Sequence, residues 1–176
     1  MRNEKARQTA LGGMLFALAI VLGIVEGLIA PLLGLPPGVK PGLANIVVMY
    51  ALFFLGKRQA VLLVLLKALF ALLTRGVSAG ALSLAGGLLS FAMMCLLLLL
   101  PDRPSFLILS IAGAICHNLG QLLMASLWLQ TAFSLAYAPV LIISGIGMGA
   151  ITALSLRVLL PALERAGLAG DGKKKQ

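Results

Sequence analysis

A chain of 176 residues that is 61% hydrophobic, 11% charged and has a mean hydropathy of +1.09 is too apolar to be a water-soluble domain. Its formal net charge of +9 does not mark a nucleic-acid reader, because the excess sits in Arg2, Lys5, Arg7, Lys57, Arg58, Lys173, Lys174 and Lys175. Those are chain ends and short connections, not a basic stripe interleaved with aromatics, so an all-α polytopic membrane protein with wetted loops is expected, with the lipid bilayer as its solvent.

Residues 1–8 read as a short cytoplasmic segment and the apolar run 9–33 as the first span. The basic start followed by Ala17-Leu18-Ala19 mimics a cleavable signal, yet the apolar run continues from Ile20 to Val25 with no polar stretch around the cut, so a retained span is expected. Ala6, Ala10, Gly13 and Ala17 recur at spacings of three and four. They form a smooth stripe that lets another helix, of this chain or of a different subunit, approach closely.

Pro36-Pro37-Gly38 and Pro41 end that run. The second span, 43–55, is short for a hydrocarbon core of ~30 Å, which leaves three accommodations open: little tilt, burial among neighbours, or a re-entrant loop ahead of it. Gly56-Lys57-Arg58-Gln59 breaks the chain before a third span at 60–73, with Lys67 in its middle and Thr74-Arg75-Gly76 closing it.

The fourth span, 77–100, holds a close-packing Gly86-Gly87 and ends at the turn Pro101-Asp102-Arg103-Pro104. The fifth covers 105–129 and the sixth 137–160. Gly145, Gly147 and Gly149 follow no strand, so they indicate close helix packing rather than a phosphate loop. Pro161 opens a charged tail, 161–176, expected to be cytoplasmic and disordered. The whole of 9–160 is then one six-helix transmembrane domain without an internal repeat. Cys95 and Cys116 lie in apolar runs with no metal-ligand spacing and read as small core residues.

Counting Lys and Arg on alternate sides of six spans places both termini in the cytoplasm of a multi-pass cell-membrane protein, with only Lys40 and Arg75 opposite. An ionisable group near the bilayer centre costs at least ~2.5 kcal/mol, so each needs a partner or a purpose. Glu26, Lys67 and His117 are such groups, and Asn45, Asn118 and Gln121 share their depth. His117 and Gln121 are four apart, Asn118 and Gln121 three apart, so all three can share a helix face.

With Lys40 and Arg75 in the outer connections, the polar side chains concentrate in the outward half, as they would around a cavity open to the outside. The structural alternatives stand beside this reading. Glu26 and Lys67 can pair between helices, Asn118 and Gln121 can serve as interhelical hydrogen-bond glue, His117 can be a satisfied core histidine, and Lys40 and Arg75 can be interfacial anchors.

Catalysis by the chain alone is not expected. It has five acidic residues in all, no DDxxD cluster for Mg²⁺ and a diphosphate, and no Walker A loop, so neither a metal nor a cofactor is expected.

Three stretches carry a resemblance: Pro37-Gly38-Val39-Lys40-Pro41-Gly42-Leu43-Ala44-Asn45, Ser83-Leu84-Ala85-Gly86-Gly87-Leu88-Leu89-Ser90, and Gly113-Ala114-Ile115-Cys116-His117-Asn118-Leu119-Gly120-Gln121. Together they resemble the Gx transporter family, also called heptaprenyl diphosphate synthase component I, over roughly residues 10–160. That family is grouped with the substrate-binding S components of energy-coupling factor transporters.

The resemblance implies a six-helix bundle that binds a vitamin-like small molecule from outside and associates with a transmembrane coupling subunit and two ATPases. It also implies an AxxxA motif in helix one that contacts the coupling subunit, matched by Ala6-xxx-Ala10 and more loosely by Gly13-xxx-Ala17. The leading expectation is a substrate-capture subunit in which Lys40 and Arg75 attract an anionic or polar solute and Glu26, Asn45, Lys67, His117, Asn118 and Gln121 line its cavity. The alternative is a membrane accessory component of a prenyl diphosphate synthase. A stand-alone facilitator would need polar residues through the inward half, which the sequence lacks.

Overall fold

Glycine and proline punctuation sets the helix boundaries. The computed structural model describes residues 2–34, 43–102, 104–130 and 136–165, and within them the chain is all-helical. Helix α1 spans Arg2–Ile29 and runs into a 3-10 turn, Ala30–Leu33; α2 is Asn45–Phe54, α3 Lys57–Arg75, α4 Val77–Leu97, α5 Phe106–Leu129 and α6 Ala138–Arg165. Glycines stand directly before and after α3: Gly56 at φ 93° and Gly76 at φ 91° adopt backbone that side-chain-bearing residues avoid. At the start of α5 the Ile108 amide donates to the Ser105 hydroxyl at 3.4 Å, a normal N-cap.

Two expectations are revised. Of the six helices, four are long and apolar enough to cross a membrane, within Ala6–Leu32, Val77–Leu97, Phe106–Leu129 and Ala138–Val158. Helix α2, with 10 residues, extends only ~15 Å. Helix α3 has the length, at 19 residues, but carries Lys57, Arg58, Lys67 and Arg75. The second revision is at Pro161, where the last helix was expected to stop: α6 continues through it to Arg165. A proline removes one bond of the ladder, and membrane-type helices accommodate that.

Burial explains the short helix. Val47, Val48, Met49, Tyr50, Ala51 and Leu52 of α2 are all buried, with Ala19 of α1, Leu63 and Val64 of α3, Met94 of α4 and Leu156 of α6 around them. Helix α2 packs against all five other helices, so of the three accommodations open to it the bundle uses burial among neighbours. A helix enclosed on every side needs no polar face, which is why, after Asn45, its sequence is apolar but for the Tyr50 hydroxyl.

The perimeter is apolar as well: Leu28, Leu32, Leu73, Leu99, Leu127, Ile143 and Val158 are exposed. A continuous belt of that kind belongs in lipid.

Helices α4, α5 and α6 are drawn together by glycines. A Cβ on Gly120 of α5 would lie 2.7 Å from the Ala85 carbonyl oxygen, and one on Gly149 of α6 would lie 2.5 Å from Ile111 Cα, so backbone touches backbone at both seams. Gly86, Gly87 and Gly145 are similarly crowded, at 2.8, 2.8 and 3.0 Å from a neighbouring helix. Gly147, grouped with Gly145 and Gly149 in the sequence, meets nothing within 4 Å.

Candidate functional site

Helix α2, starting at Asn45, fills one half of the bundle interior, and among the described residues no helix occupies the centre of the other. A cavity of about 890 Å³ occupies that second half, walled by α1, α3, α4 and α5, with Ala44 at the base of α2 on its lining. The volume lies in the range of small-molecule sites. Of the eight residues expected around one cavity, five meet here. Glu26, Lys67, Arg75, His117 and Gln121 all line this cavity.

Glu26 is 3% exposed, and its Oε1 accepts the backbone N–H of Ala44 at 3.1 Å. A carboxylate in that position answers the partial positive charge at the start of α2 and ties α1 to it. Lys67 is half-buried, and its Nζ donates to Asn45 Oδ1 at 3.3 Å, which joins α3 to the first residue of α2. Arg75 is exposed two turns further along α3, at the rim.

His117 is 5% exposed. The Gly86 backbone hydrogen-bonds its imidazole and the Lys67 charge acts on it, but Nδ1 has no partner among the described residues. His117 lines the cavity, and a buried ring nitrogen without a partner is a hydrogen-bonding position still to be filled.

Asn45 and Asn118 stand behind the cavity rather than on it. Asn45 orients Lys67, and its Nδ2 has no partner among the described residues. Asn118 turns away from His117 and Gln121, and its Nδ2 donates to the Leu141 carbonyl of α6 at 2.8 Å. Asn118→Ala is expected to cost on the order of 1 kcal/mol in thermal unfolding of the solubilised protein, with ligand retention unchanged. A shift in retention without loss of stability would move Asn118 into the site.

Lys40 lies outside the described residues. Ala6, Ala10, Gly13 and Ala17 are all exposed on the outer side of α1, so none of the described helices covers the stripe.

Sequence reasoning did not single out Thr74, Ser78 and Ser83, which add hydroxyls to the lining, or the aromatic walls Phe70 and Trp128. Thr74 read as punctuation before Gly76; the signal available was its spacing of four to Ser78 across that joint. The face that α1 turns to the cavity, Ala19, Gly23 and Gly27, was also overlooked.

The sequence profile of the family described as heptaprenyl diphosphate synthase component I matches residues 15–159, which include every described lining residue of the cavity. Neither curated proteins nor solved structures give a significant match. The profile covers all six helices in whole or large part, and by that coverage the chain belongs to the heptaprenyl diphosphate synthase component I family.

Proposed function

We propose that this chain is a membrane subunit that binds a small molecule in the cavity between α1, α3, α4 and α5 and performs no chemistry on it. The observation that carries this reading is the buried Nδ1 of His117, without a partner among the described residues, on a side chain that lines a cavity together with Glu26, Lys67 and Arg75. Leaving such an atom unsatisfied costs about 1–3 kcal/mol, a cost that a bound hydrogen-bonding group removes.

Two settings are open to such a subunit. The family description supports a membrane accessory component of a heptaprenyl or polyprenyl diphosphate synthase, and of the two settings it is the one the comparisons favour. The cavity supports a substrate-capture subunit of an energy-coupling factor importer, with both termini cytoplasmic, the cavity facing outward, and the exposed stripe Ala6, Ala10, Gly13 and Ala17 meeting the coupling subunit.

The test begins with mass spectrometry of molecules retained by the purified protein. A defined small molecule is expected, and His117→Phe, which keeps the ring volume, should reduce its retention roughly tenfold. Equal retention by native protein and variant would remove His117 from the site, and an empty native protein would remove the binding reading. Stimulation of a soluble, aspartate-rich prenyl synthase then identifies the first setting, and ATP-dependent uptake that requires this chain identifies the second.

A further inference from the structure

We draw no further inference here: the strongest candidate, the apolar groove between α4 and α5 lined by Leu88, Leu89, Leu123 and Leu127, carries none, because nothing in the structure shows what covers it.

Discussion

Gly149→Ala is expected to destabilise the bundle by about 3 kcal/mol, at the upper end of the usual range for overpacking, and Gly120→Ala similarly. The reason is what each new methyl group would meet. At Gly149 the nearest atoms are Ile111 Cα at 2.5 Å and Ile111 N at 2.8 Å; at Gly120 they are the Ala85 carbonyl oxygen at 2.7 Å and Gly86 Cα at 2.9 Å. A flexible side chain can swing aside, but a helix backbone in contact can yield only by moving the whole helix.

Moving α5 from α4 also shifts His117, whose carbonyl oxygen lies 2.8 Å from a Cβ on Gly86, so the cavity wall is lost with the seam. Gly147→Ala is the internal control. Two residues before Gly149 on α6, it meets nothing within 4 Å, so the substitution should be neutral or gain up to ~1 kcal/mol of helix propensity. Thermal unfolding of the three variants in one detergent separates these outcomes. If Gly149→Ala melts with Gly147→Ala, α5 and α6 do not approach as closely as described.

The same glycines show how far the sequence is legible. Helix ends follow from residues that forbid helix, so Gly56, Gly76 and the Pro101 turn were readable directly. What a glycine inside a helix is for was not. Gly23, Gly147 and Gly149 look alike in a chain with 20 glycines, yet one faces a cavity, one faces nothing and one touches a neighbouring backbone. Only the positions of the other helices distinguish them.

That Glu26, Lys67, His117 and Gln121 belong together was readable from their places along the expected spans, and they do line one cavity. Azimuth was not. Asn118 sits beside His117 in sequence and three residues from Gln121, but a helix turns about 100° per residue, and that turn points Asn118 at α6. Likewise the length of α2 was plain, whereas its place at the centre of the bundle depends on five partners that no local pattern encodes.

Lys67→Met should lower stability by about 1–2 kcal/mol and ligand retention by roughly ten- to a hundredfold. Two opposing effects act on the fold. Removing the ammonium relieves a half-buried charge, but it also strips Asn45 Oδ1 of its donor, and Asn45 Nδ2 already has no partner among the described residues, so a buried amide is left unsatisfied at both ends. An orphaned amide of that kind costs about 1–3 kcal/mol.

Replacing both members by apolar groups of similar shape removes that cost, so Lys67→Met combined with Asn45→Leu should melt at or above the single variant. The double variant should still fail to retain ligand, because the cation that faces the cavity is gone. Were the Lys67–Asn45 bond only an internal tie, restoring stability would restore retention as well. The combination of recovered melting temperature with lost binding therefore assigns Lys67 to the ligand, and recovery of both assigns it to the scaffold.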